Sequence, residues 1–153
     1  MSTYTAKVVW SIPARAAFTD NKYSRFHQWI FDGGVSVPAS SSPLVVPLPL
    51  STAAAVDPEE AFVASLAACH MLFFLSYAAK AGFVIELYED EAIGEMGKNA
   101  AGKIAMLKVR LRPQITWRGN SPSAAQLDEL HHKAHESCYI ANSVTSEIVI
   151  EPR

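Results

Sequence analysis

Apolar and polar positions alternate most clearly between Leu107 and Arg118. There Leu107, Val109, Leu111, Ile115 and Trp117 interleave with Lys108, Arg110, Arg112, Gln114, Thr116 and Arg118. A period of two with one wet face predicts a β-strand over this stretch. Two further strands are expected at Tyr4 to Trp10 and Arg25 to Phe31, where β-branched and aromatic residues dominate. Asp20-Asn21 and Asp32-Gly33-Gly34 punctuate them as turns. Phe83 to Met96 reads as a strand or hairpin arm carrying the acidic patch Glu89-Asp90-Glu91, with its turn between Gly97 and Gly102. Val144 to Glu151 closes the chain as another strand. Between Val37 and Val56 the pattern lapses. Pro38, Pro43, Pro47, Pro49 and the run Ser40-Ser41-Ser42 favour irregular backbone, and a long ordered loop of this kind is often functional.

The periodicity changes at Asp57-Pro58-Glu59-Glu60. Asp57 suits an N-cap, Pro58 the first helical position, and Glu60 stands where a capping box needs it. From Ala61 to Ala79 there is no Asp, Glu, Lys or Arg, and Lys80-Ala81-Gly82 supplies a last-turn cation and a terminating glycine. A helix apolar all round is buried on every side, which in a domain this small calls for a second subunit. The run is long enough to span a membrane. His70 and two serines interrupt it, however, and nothing else in the chain has that character, so it reads as a core helix. A second helix opens at Ser121-Pro122 and runs to about Cys138. The order strands, helix, strands, helix, strand places the fold in the α+β class.

Composition narrows the function. A chain of 153 residues suits one domain spanning 1–153, and 50% hydrophobic with 18% charged residues excludes extensive disorder. The net charge of -2 argues against affinity built on neutralising phosphates or an anionic bilayer, so neither nucleic acid nor membrane is expected as a partner. The first ten residues lack the pattern of a targeting leader, which makes the cytoplasm the default compartment. Two cysteines, Cys69 and Cys138, are too few for a disulfide scaffold and should be thiols unless they do chemistry.

Cys69 sits about three turns into the first helix among Ala67, Ala68 and His70, where a cysteine also serves as a small core residue. Cys138 ends the second helix. Steps of 100° per residue put His131, His135 and Cys138 on one face, with Lys133 and Glu136 elsewhere. That stripe admits zinc if Cys69 or His70 completed a tetrahedron, although the spacing lacks a close cysteine pair. It equally admits half-buried histidines favoured near a helix C-terminus.

Asp57 to His70 (DPEEAFVASLAACH), together with Leu130 to Cys138 (LHHKAHESC) and Asn142-Ser143, resembles the OsmC/Ohr family of osmotically inducible and organic-hydroperoxide-resistance proteins. The likeness covers essentially the whole chain. It implies an OsmC-like α+β fold with antiparallel sheets around a long central helix, assembled as an intertwined homodimer. The implied activity is a stress-response thiol peroxidase for organic hydroperoxides, with Cys69 as the peroxidatic and Cys138 as the resolving cysteine. The family also holds the thiolate with a glutamate of the Pro-Glu segment and an N-terminal arginine. Glu59 matches the first; Arg25 is taken for the second, with Arg15 as a nearby competitor. No bound cofactor is implied, and the reductant would be an external dithiol of lipoyl type.

Two departures bear on specificity. The glycine-rich stretch that often precedes the Pro-Glu segment is replaced by the Val-, Leu-, Pro- and Ala-rich Pro43 to Ala55, and Tyr139 follows Cys138 where many relatives carry proline. An apolar loop with Phe73, Phe74 and Trp29 as walls would suit an organic peroxide, although such aromatics serve equally in a core. Along one straight helix Glu59 and Cys69 stand roughly 15 Å apart. Two antiparallel copies crossing near Ala64 and Ser65 would bring Glu59 of one subunit toward Cys69 of the other, a shared site at a two-fold interface. A non-catalytic protein of the same fold, holding apolar ligands, is the alternative from another functional class.

Overall fold

Asp57 caps its helix as the local residues dictate. Its carboxylate accepts the Glu60 N–H at 2.7 Å, and the Glu60 side chain accepts the Asp57 N–H at 3.3 Å, a complete capping box. The computed structural model describes all residues, 1–153. In chain order the elements are β1 (Ala6–Val9), β2 (His27–Phe31), β3 (Ser36–Ala39), α1 (Pro58–Lys80), β4 (Val84–Asp90), β5 (Ile93–Lys98), β6 (Ile104–Leu111), β7 (Pro113–Arg118), α2 (Ala124–Ser137) and β8 (Glu147–Ile150), with a 3-10 turn at Ala141–Ser143 before the last strand. The mixture is α+β. Packing divides it into two compact units, Met1–Ala61 and Phe62–Arg153.

The first unit is an antiparallel sheet in the order β1-β2-β3, registered by Val8 opposite Trp29 and Trp29 opposite Val37. β3 lies inside the stretch expected to be loop. Its Pro38 is tolerated because β3 is an edge strand, where a missing N–H breaks no ladder. The Pro38 carbonyl is not wasted: it accepts the Val56 N–H at 3.0 Å, and Ser40 N–H bonds back to the Val56 carbonyl at 3.0 Å, pinning the far end of the loop. The fully buried Ser40 hydroxyl accepts the Thr52 N–H at 2.9 Å.

In the second unit the alternation of residues 107 to 118 resolves into two strands. β6 and β7 part at Arg112, whose N–H goes to the Asp90 carboxylate at 2.6 Å, and the following Pro113 has no N–H to offer. The opposite arm breaks at the same level. β4 pairs with β7 and β5 with β6, so one long ribbon is bent into two sheets. β8 joins the second sheet parallel to β6. α2 starts later than Ser121-Pro122 suggests, because Ser123 is the residue that caps it, in a reciprocal box with Gln126. At the end of α1, Gly82 takes φ of 83°, and the bonds Phe83 N–H to Ala78 carbonyl and Gly82 N–H to Ala79 carbonyl form a Schellman motif.

α1 is apolar all round, yet the chain buries only one line of it: Leu66, His70, Phe74 and Ala78. The expectation of burial on every side is therefore not met by the chain itself. Ala64, Ala68, Leu72 and Ser76 form an exposed, uncharged line along it. By length and composition α1 would cross a membrane; its buried line instead makes it the core helix of the second unit. Phe74 and Ala78 pack with Leu130 and Ala134 of α2, while Leu66 packs with Val109 and Leu111 of β6.

Gly94 is where β5 passes close to α1. A Cβ there would lie 2.6 Å from Val63 Cγ2 and 2.7 Å from Met106 Sδ. The methionine can swing aside and the valine methyl cannot, so Gly94→Ala should cost about 1–3 kcal/mol by overpacking. Urea denaturation checks this, and an unchanged midpoint would show that the helix yields freely.

Candidate active site

Cys69 of α1 and Cys138 at the end of α2 are free thiols and neighbours, near enough for the Cys69 sulfur to bear on the Cys138 thiol. Cys69 is half-buried, whereas Cys138 has 1% of its surface exposed. Burial, reinforced by the neighbouring Cys69, pushes the Cys138 thiol up to about 11, against the opposing pull of the Ala141 and Ile140 N–H groups. Ala141 N–H lies 3.4 Å from Cys138 Sγ.

Two further links hold α1 against α2. Tyr77 Oη and Ser137 Oγ are 2.7 Å apart. His70 Nε2 and His131 Nδ1 are 3.1 Å apart, with ring centroids 5.4 Å apart and planes within 10°. Two ring radii and one hydrogen bond fill that separation, so the imidazoles lie edge to edge, nearly coplanar, with one proton between facing nitrogens. The nitrogens that face each other are thereby taken by one another. His131, His135 and Cys138 do share the inner side of α2, but no three His, Cys, Asp or Glu side chains come together as a metal site. The zinc arrangement that the spacing admits is not formed: neither Cys69 nor His70 completes a tetrahedron with the stripe, and His70 Nε2 faces His131 instead.

Arg25 and Glu59 both belong to the first unit and line one open pocket of about 470 Å³, with Trp10, Phe18, Tyr23 and His27 among the other walls. The aromatic side is a cluster in which Trp10, Phe18 and Tyr23 lie with centroids 4.7–5.8 Å apart. The Arg25 guanidinium stacks over Tyr23 at 3.8 Å, donates to the Tyr23 carbonyl, and bonds Asn21 through its carbonyl at 3.0 Å and Oδ1 at 2.8 Å. Arg15 does not line this pocket; it occupies a turn with φ of 69°. The expected walls Phe73, Phe74 and Trp29 are absent from it too. Phe74 is fully buried, Phe73 meets Tyr139 edge-on, and Trp29 bonds His27.

A model of OsmC-like proteins matches residues 51–153. This chain belongs to the OsmC-like family. An OsmC-like protein of unknown function from Vibrio cholerae is 55% identical over 100% of both chains, with a TM-score of 0.98. More distant structures share the fold. An organic hydroperoxide resistance protein from Elizabethkingia anophelis is 16% identical, with 99% of this chain and 94% of that one covered and a TM-score of 0.71. The organic hydroperoxide resistance protein OhrB of Bacillus subtilis is 22% identical over 98% of both, with a TM-score of 0.64. None of the curated proteins matches the chain.

In this OsmC-like protein the buried histidines set a pH response. Burial, then the charges of His131 and His135, drives His70 down to about 3; burial drives His131 down to about 4, against a small opposing pull from Asp128. Both are neutral at pH 7 when folded. Unfolded, each takes up a proton near 6.5, so the unfolded chain binds more protons as pH falls below that value. Stability should be full above about pH 6.5 and decline on acidification by up to about 1.4 kcal/mol per pH unit for each histidine until the folded values are reached. Urea midpoints at pH 7.5, 6.0 and 5.0 measure it, ahead of most carboxylate titration. A flat response across those points would mean the pair opens to water.

Proposed function

We propose that this protein is a cysteine-based peroxidase that reduces organic hydroperoxides in the cytoplasm. The observation that carries the reading is the contact between Cys69 and Cys138, which lie far apart in sequence. The Cys69 thiolate attacks one oxygen of the peroxide, the O–O bond breaks, and the alkoxide leaves as an alcohol after taking a proton. Cys69 is left as the sulfenic acid. Cys138, already in contact, then forms the S–S bond with Cys69 and water departs with the sulfenic oxygen. Two electrons from an external dithiol restore both thiols.

The half-exposed sulfur suits attack on an incoming substrate, and the buried one suits the second, internal step. Arg25 and Glu59 are assigned to holding the Cys69 thiolate, delivered by a second copy of the chain in a homodimer. The exposed line Ala64, Ala68, Leu72 and Ser76 supports such pairing, since it lacks any charge that would oppose close approach of another apolar helix. A solution mass of one chain at micromolar concentration would contradict it.

The names of the Elizabethkingia and Bacillus proteins favour organic peroxides as substrates, as does the aromatic pocket. Purified protein with dihydrolipoamide should consume cumene hydroperoxide faster than hydrogen peroxide. No turnover with any dithiol, together with binding of apolar ligands, would instead support a non-catalytic carrier of the same fold.

A further inference from the structure

Along the strand that leads out of the Arg25 turn, half-buried Tyr23, Arg25, His27 and Trp29 alternate with exposed Ser24, Phe26 and Gln28. One side chain in that row is fully specified by its neighbours. His27 Nδ1 lies 2.8 Å from the Arg25 carbonyl oxygen, and His27 Nε2 lies 2.9 Å from Trp29 Nε1. A carbonyl only accepts and an indole N–H only donates, so Nδ1 must carry the proton and Nε2 must not. The imidazole is locked as the neutral Nδ1–H tautomer. The other main-chain group of Arg25 is also held, its N–H donating to the Leu50 carbonyl at 2.7 Å. Without His27, the Arg25 carbonyl loses its partner, and its peptide plane keeps only the bond from Phe26 N–H to Ser24 Oγ at 3.2 Å.

We infer that His27 is a positioning residue for Arg25: it fixes the arginine's carbonyl through Nδ1–H, and Trp29 fixes the tautomer that makes this bond possible. The inference rests on the assignment of Arg25 to the Cys69 thiolate. His27 lines the same pocket as Arg25 and Glu59, so the row Trp29, His27, Arg25 runs from the sheet to the pocket wall.

The test follows Cys69 itself rather than peroxide turnover. In full-length protein carrying Cys138→Ser, the rate of alkylation by iodoacetamide against pH reads the fraction of Cys69 thiolate. Arg25→Met should lower that rate at pH 6 by about tenfold. His27→Leu should reproduce a several-fold part of the loss and add nothing further when combined with Arg25→Met. His27→Asn, which keeps a donor near the Nδ1 position, should recover most of the rate. If Arg25→Met slows alkylation and His27→Leu does not, His27 has no positioning role and the Arg25 assignment stands. If Arg25→Met has no effect, the assignment of Arg25 falls and this inference with it. Imidazole nitrogen NMR of the unmodified protein gives a reading independent of Cys69: the Nδ1–H tautomer is expected, and the Nε2–H tautomer would overturn the inference even if every variant misfolded.

Discussion

Cys69→Ser should abolish hydroperoxide turnover, lowering the steady-state rate by at least about a thousandfold, because a serine hydroxyl at neutral pH offers almost no anion to attack the O–O bond. Cys138→Ser should fail differently. Its Cys69 still attacks, so one equivalent of peroxide is consumed and a sulfenic acid accumulates that dimedone traps and mass spectrometry locates. Turnover with a dithiol then falls because the internal disulfide cannot form. The two variants together separate attack from resolution. Cys69→Ser retaining a tenth of the parent's rate, or a dimedone adduct found on another residue, would remove Cys69 from the chemistry. The contact between the sulfurs would then be core packing, as an isolated cysteine in an Ala-rich helix would suggest.

Phe74→Ala should be the most damaging core change, costing about 3–5 kcal/mol. Phe74 is wholly buried on α1, with ring centroids 4.4 Å from His131, 5.7 Å from Tyr88 and 6.2 Å from Trp117. These three walls belong to regular elements, α2, β4 and β7, which resist collapse into the space. Against a typical total of about 5–15 kcal/mol, such a loss would leave a marginal protein. Urea unfolding of the parent and the variant measures the difference. Less than about 1.5 kcal/mol would mean that the helix settles onto α2 without the ring. The vacated volume also borders His70 and His131, so a variant that still folds should show a weaker fall of stability between pH 7.5 and 5.0 as water reaches the imidazoles.

Both ends of α1 are readable because their information is local. Asp57, Pro58 and Glu60 meet within one turn, and Gly82 sits where only a residue tolerant of positive φ closes α1. The alternation of residues 107 to 118 likewise predicts strand, but not the bend at Arg112, which depends on a carboxylate from Asp90 across the ribbon. β3 escaped notice because proline reads as a breaker until its strand is known to be an edge. The stripe His131, His135, Cys138 was correctly placed on one helix face, yet spacing along α2 carries nothing about which nitrogen faces His70 on α1. His27 belongs to no motif, and only its place two residues before a tryptophan in a strand, which puts both on one side, marks it in the sequence.

By itself, then, the chain determined where its first helix begins and ends, which residues alternate across its sheets, and which motifs place it among OsmC-like proteins. Each of these is set by residues a few positions apart, through capping, periodicity and turn chemistry. The tertiary structure alone decided that Cys69 and Cys138 are neighbours, that the two core histidines turn one nitrogen each toward the other, and that α1 keeps one bare apolar line. Those outcomes depend on burial and on partners remote along the backbone, whose directions are set only when helices and sheets pack.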